Sequence, residues 1–244
     1  MDREDQGRVR RIPLNKKINF DPVCAHLELP IAPAVSRITG RAVPIFCPDS
    51  GPLQTLVYGE APGPRGADQS GIPFWGDGAG VPLYRALTAA GCAEVPAAAW
   101  SAWDGAELVK RGLQPALHGV ALSNAFPCCP TNDGQKFRAP SKAELRSEKN
   151  RQRLAVEIEA AMTRGLKQIV TLGRCARETV TPIAETLGVP LIGLPHPAAQ
   201  GLLADAPNQG RGLRLADLQA AWQDRLVQIL SATRAGDTSE PAPV

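Results

Sequence analysis

The chain lacks most of the features that announce the commoner protein classes. No apolar run reaches the length of a membrane span. The opening Met1-Asp2-Arg3-Glu4-Asp5 has no apolar core of the kind a secretory signal carries, so a cytoplasmic, membrane-free protein is expected. Net charge is only +3 over 244 residues, which does not by itself declare a nucleic-acid binder. None of the six cysteines (Cys24, Cys47, Cys92, Cys128, Cys129 and Cys175) stands in a Cys-x-x-Cys pair, the usual spacing of a zinc site or redox dithiol. There is no Gly-x-Ser-x-Gly elbow and no Gly-x-x-x-x-Gly-Lys loop, which argues against the common α/β hydrolases and phosphate-loop enzymes. Internal repeats are absent as well.

What remains is an alternating chain with enough apolar residues, 43%, to bury a core. Residues 1–50 are rich in Pro and Arg and read as an irregular N-terminal extension partly wrapped on the domain. Residues 51–234 form an α/β domain, and residues 235–244 read as a disordered tail. Apolar runs at 53–60, 120–126, 167–172 and 189–194 predict four strands. Helices are expected at 81–91, within 97–113 around Trp100 and Trp103, at 141–163, at 174–187 and at 213–233. Ser141, with Glu144 three residues on, has the spacing of a capping box. Strands alternating with helices predict a three-layer α/β/α fold around a central, mainly parallel four-stranded sheet.

Chemistry-bearing residues collect just after three of these strands. The first loop holds Gly59-Glu60-Ala61-Pro62-Gly63, then Asp68 and Phe74; the second holds Asn124; the third holds His196 between two prolines. In open α/β sheets, ligands bind outside the carboxyl ends of the strands. An Asn can read the edge of an amide-like heterocycle, a Phe can stack on its face, a His can donate to an oxygen that gains negative charge, and a carboxylate can orient water. That set suits cleavage of a base from a sugar. Each residue also has a plainer reading: Asn124 closing a turn, His196 as a surface loop residue, Phe74 as core. Arg146, Lys149, Arg151 and Arg153 cluster on one expected helix, and Arg8, Arg10, Arg11, Lys16 and Lys17 near the N-terminus; such patches hold phosphates or simply face solvent.

Taken in order, these motifs resemble the uracil-DNA glycosylase superfamily over roughly residues 53–230. Gly59–Gly63 with Asp68, Ser70–Phe74 and Gly78-Ala79-Gly80 is similar to the first motif of its fourth, iron–sulfur branch; Ser123-Asn124 with Cys128 and Pro130 resembles the second, and His196-Pro197 the His-Pro-Ser motif after the last strand. The resemblance implies a monomeric, monofunctional glycosylase that flips uracil or a related base out of DNA, associates with the nucleoid and starts base excision repair. It implies that Phe74 stacks on the base, Asn124 reads its pairing edge, and Gly59 and Ala61 contact it through the backbone. His196 stabilises the anionic O2, and Glu60 or Asp68 orients water. Pro62, Gly63, Pro197 and Gln200 meet the DNA, with Gln200, Leu202 and Leu203 available as the wedge. Three departures stand out. Ala61 occupies the position where the superfamily often carries its water activator. Ala198 replaces the usual serine. The four-cysteine pattern is missing, with no cysteine around Glu144–Glu148, so no iron–sulfur cluster and no metal are expected. The alternatives are a non-catalytic base- or DNA-binding protein on the same fold, or a glycosylase for hypoxanthine or hydroxymethyluracil.

Overall fold

Residues 37–235 are described by a computed structural model. The central sheet contains β1 (Leu53–Gly59), β4 (Gly119–Asn124), β5 (Gln168–Leu172) and β6 (Leu191–Leu194), in the order β4-β1-β5-β6 with every pair parallel. A short antiparallel ribbon, β2 (Ala93–Glu94) with β3 (Ala116–Leu117), stands apart from it. Helices follow in chain order: α1 (Ala67–Ser70), α2 (Gly80–Ala89), α3 (Gly105–Lys110), α4 (Lys142–Arg146), α5 (Glu148–Met162), α6 (Arg174–Thr186), α7 (Ala199–Asp205) and α8 (Leu215–Ala235). No helix among the described residues is long and apolar enough to cross a membrane.

The strands are apolar on both faces because both faces are covered, as parallel sheets require. Side chains alternate across a strand. Val57, Val120, Leu122, Val170 and Leu172 therefore pack on one side with α2 and α8, while Leu56, Tyr58, Ala121 and Ile169 pack on the other with α5 and α6. The three-layer α/β/α architecture with a four-stranded parallel sheet is thus observed. Register brings the strand ends level: Gly59 pairs with Asn124, and Leu172 with Leu194. The loops after all four strands consequently open on one edge of the sheet.

Two local expectations change. The helix expected over 141–163 is broken at Ser147, whose hydroxyl accepts from Asn150 N and caps α5, while Ser141 and Glu144 close the capping box of α4. Trp100 and Trp103 lie between a 3₁₀ turn (Ala97–Ala99) and α3 rather than in a helix, stacked at 5.0 Å between ring centroids. Helix α7 and the ribbon have too short a pattern to be seen in sequence.

Most of the N-terminal extension and the C-terminal tail lie outside the described residues. Residues 37–50 run along the free edge of β4, where Phe46 exchanges two backbone hydrogen bonds with Leu122 (2.8 and 2.9 Å) and Val43 N donates to Pro127 O (2.8 Å). This covers an edge that would otherwise present unpaired backbone groups.

Candidate active site

Gly59, Phe74 and Asn124 form one cluster. A Cβ placed on Gly59 would lie 2.4 Å from Phe74 Cζ and 2.8 Å from Asn124 Oδ1, so only glycine lets the ring and the amide close over the end of β1. The loop after β1 is laced to the loop after β4: Ala125 N donates to Gly59 O (2.7 Å) and Phe126 N to Glu60 O (2.9 Å). Asn124 is only 2% exposed, and its Nδ2 is buried with no hydrogen-bond partner. Leaving such a donor unmet costs roughly 1–3 kcal/mol, and native proteins keep such groups where something else satisfies them.

Phe74 sits at φ +63°, a left-handed conformation that costs a non-glycine residue roughly 1–2 kcal/mol. Its turn is held from several sides. Tyr84 Oη donates to Pro73 O (3.1 Å), Ser70 Oγ to Trp75 O (2.9 Å), and Trp103 Nε1 to Asp77 O (2.7 Å). The Asp77 carboxylate in turn accepts from Gly63 N (3.3 Å) and Ala67 N (3.1 Å), tying the Gly59–Gly63 loop to the Phe74 turn. A Cβ on Gly63 would lie 2.1 Å from Asp77 Oδ1. Asp77 was missed in the sequence; Gly63 and Gly66, spaced to admit a carboxylate against bare backbone, were the available signal.

His196 follows β6 and is half-buried. Burial lowers its pKa from the ordinary 6.5, so the ring is neutral at pH 7. Ala198 N donates to Nδ1 (3.3 Å), which assigns the ring proton to Nε2. The residue is packed against two glycines, since a Cβ on Gly201 would lie 2.4 Å from His196 O, and one on Gly173 3.1 Å from His196 Cβ. His196 and Glu60 line a common cleft of about 690 Å³, whose rim carries Lys142, Arg146, Arg151 and Arg174. Burial raises the Glu60 pKa above the usual 4.5. The neighbouring Cys175 thiol is pushed up to about 12 by burial and by the charges of Glu60 and Glu178.

The remaining expected site residues are placed as follows. Ala61 is half-buried against the α5–α6 side of the core. Pro62 and Pro197 are buried, Gly63 is half-buried, and Gln200 is exposed on α7. Asp68 lies away from the cleft residues, and its carboxylate is filled: it accepts from Thr39 N (2.7 Å), Thr39 Oγ1 (2.9 Å), Gly40 N (3.0 Å) and Gln69 Nε2 (2.9 Å). Burial raises its pKa against the pull of those donors. So placed, Asp68 fastens residues 39–40 to α1 and has little capacity left to orient a water.

One member of the basic cluster is not on the surface. Arg153 and Glu157 are 3% and 0% exposed and paired at 2.7 Å beneath the second loop. Arg153 Nη2 donates to Asn124 O (2.9 Å) and Ala125 O (3.0 Å), and Asn150 Nδ2 also donates to Ala125 O (2.9 Å). Glu157 accepts from Ser123 Oγ (2.9 Å) and Tyr58 Oη (3.1 Å). This network fixes the backbone that carries Asn124. Its sequence signal was the i, i+4 spacing of Arg153 and Glu157 on the same face as Leu154, Ile158 and Ala161.

At the strand ends of this three-layer α/β protein, the Phe74 ring and the unmet Asn124 amide close over Gly59, while the neutral His196 lines a cleft with Glu60 whose wall includes neither. Comparison with known proteins finds a likeness over part of the chain. Over 125 residues, 51% of the chain, it is 31% identical to the type-5 uracil-DNA glycosylase of Thermus thermophilus. The chain spans about half the length of that relative, 48%. No family model matches the chain.

Proposed function

We propose that this chain is a DNA glycosylase that hydrolyses the bond between deoxyribose and uracil or a related deaminated or modified base. The observation that carries the reading is Asn124: a buried amide with an unmet Nδ2–H, beside the Phe74 ring, above a glycine that leaves room for nothing else. A uracil edge offers the carbonyl and the N–H that match that amide, and the likeness to a named uracil-DNA glycosylase points the same way.

In this reading the base is flipped out of the stack at a cost of a few kcal/mol, stacks on Phe74 and is held by Asn124. As the C1′–N1 bond breaks, its electron pair moves onto the base and charge gathers at O2, where neutral His196 donates from Nε2. A donor so placed is worth about 3–4 kcal/mol. Water adds to C1′, oriented by Glu60, and its proton passes through the Glu60 carboxylate to the anionic base; an abasic sugar and the neutral free base result. Ala61 carries no group to orient water, and Glu60, just after β1, is the cleft carboxylate of that loop; Glu178 lines the cleft from α6. The same alanine favours a second reading, a protein that binds the base without turning it over.

The reading includes no iron–sulfur cluster, because the cysteine spacing lacks that branch's pattern. Where the fourth cysteine of that branch would fall, the Glu144 carboxylate is gripped by Arg138 at 2.6 and 2.7 Å.

The test is incubation with single- and double-stranded oligonucleotides carrying uracil, hypoxanthine or hydroxymethyluracil, followed by alkali. Cleavage at one lesion names the substrate, and His196→Ala and Asn124→Ala should each reduce it at least a hundredfold. Full activity in both variants would remove the assigned site. Binding without cleavage by the wild type would select the second reading.

A further inference from the structure

Of the side chains that the His196 loop offers as a DNA wedge, Gln200 is exposed but polar, and both leucines are engaged within the protein. Leu202 is 4% exposed and part of the core beneath α7 and α8. Leu203 is engaged with Gly210, where a Cβ would lie 2.4 Å from Leu203 Cδ2. A flipped nucleotide leaves a gap in the stack, and a large apolar side chain inserted at such a step keeps it open.

Phe137 meets that requirement. It is 44% exposed, although the other large aromatic side chains near the site, Phe74 and Trp75, are buried. Single exposed apolar residues are ordinary, but the surroundings of this one are not. Its backbone closes a short hairpin through an antiparallel bridge to Thr131. Inside the hairpin, Thr131 Oγ1 accepts from Gly134 N (3.0 Å), and Asp133 Oδ1 accepts from Gln135 N and Lys136 N (both 2.8 Å). On the far side, Arg138 N donates to Pro130 O (3.0 Å), and its guanidinium holds Asn132 Oδ1 (2.8 Å) and Glu144. The ring is thus carried on a braced backbone, which lowers the entropy lost when it is seated against a ligand. Two residues on, within roughly 7 Å along the chain, Ala139 and Pro140 begin the wall of the cleft that holds Glu60 and His196, with Lys142 and Arg146 on its rim. Exposed Lys136 adds a cation to the same hairpin.

We propose that Phe137 is the DNA-inserting residue of this protein, stacking on the base next to the extruded nucleotide. The proposal rests on the glycosylase reading for its place in a reaction, but it can be tested through binding alone. The probe is a duplex with a tetrahydrofuran abasic analogue and 2-aminopurine as its neighbour, titrated with wild type, Phe137→Ala and Phe137→Trp. Wild type should bind and change the 2-aminopurine fluorescence. Phe137→Ala should bind on the order of tenfold more weakly, the loss of one base–aromatic stack, and lose the fluorescence change; Phe137→Trp should restore both. Equal binding and fluorescence in wild type and Phe137→Ala would overturn the proposal, as would a wild type that does not bind the duplex. Cleavage of a uracil oligonucleotide, measured in parallel, reports separately on the glycosylase reading: a wild type that binds and perturbs the probe but never cleaves leaves Phe137 in place and removes the catalytic assignment.

Discussion

Replacing Arg153 by methionine takes the cation from beneath Asn124 while keeping much of the side-chain volume. The structure sets the cost. Glu157, 0% exposed, would keep only the hydroxyls of Ser123 and Tyr58, and Asn124 O would lose its Arg153 donor. Breaking a buried pair from one side costs about 3–5 kcal/mol. Ala125 O keeps Asn150 Nδ2, which limits the backbone shift to the Asn124 side. Against a typical domain stability of about 5–15 kcal/mol, the variant should remain folded in the cold, with its urea midpoint sharply lowered. Arg153→Lys restores a charge but not the planar fork that serves Glu157 and two carbonyls together, so it should recover part of the stability and little of the activity. Urea titration in the cold, with oligonucleotide cleavage on the same samples, measures both. A loss below about 1 kcal/mol for Arg153→Met, or full cleavage by the Lys variant, would refute the claim that this pair positions Asn124.

Other outcomes follow from the same geometry. Gly59→Ala should abolish cleavage by displacing Phe74 and Asn124, with far-UV circular dichroism unchanged. Asp68→Asn should cost about 2 kcal/mol, the loss of hydrogen bonds to a charged acceptor, and leave the cleavage rate constant near wild type; a hundredfold fall would return Asp68 to the catalytic set. The pH profile of cleavage should be flat around neutrality, since burial holds His196 below 6.5. The unfolded chain protonates this histidine first, so its contribution to stability is complete above 6.5 and is lost as pH falls toward the folded-state value. Glu60, raised above 4.5 by burial, should protonate at higher pH than an exposed glutamate, and Glu60→Gln should remove that step from the acidic limb of the rate profile.

The sheet and its strand-end loops were legible because parallel strands covered on both faces are written as apolar runs, and glycines and prolines mark their ends. Phe74, Asn124 and His196 could be picked out for the same reason: each stands at the end of such a run or in the loop it feeds. The structure brings Phe74 and Asn124 together over Gly59, and His196 to one cleft with Glu60. Arg153 was legible only as a charge, because local pattern cannot tell a guanidinium turned to water from one turned toward two carbonyls on another element. Asp68 and Asp77 were equivalent in sequence, loop carboxylates beside glycines. They differ in what meets them: Asp68 binds Thr39 and Gly40 from a segment far back along the chain, and Asp77 binds the amides of its own loop. Phe137 was passed over because an apolar residue in a polar loop has no periodicity to report on it.

The strap formed by residues 37–50 has a consequence for proteolysis. It is held on both sides of exposed Arg41, by Ile38 on Gly134 and Thr39–Gly40 on Asp68 before it, and by Val43 on Pro127 and Phe46 on Leu122 after it. A nick after Arg41 would divide the strap into a piece free to leave and a piece still tethered to β1. Peeling back of the tethered piece would bare the outer edge of β4, the strand that ends in Asn124. Trypsin sensitivity at this arginine, compared with and without DNA, would then report on the strand that carries the base-reading amide, well away from the cleft itself.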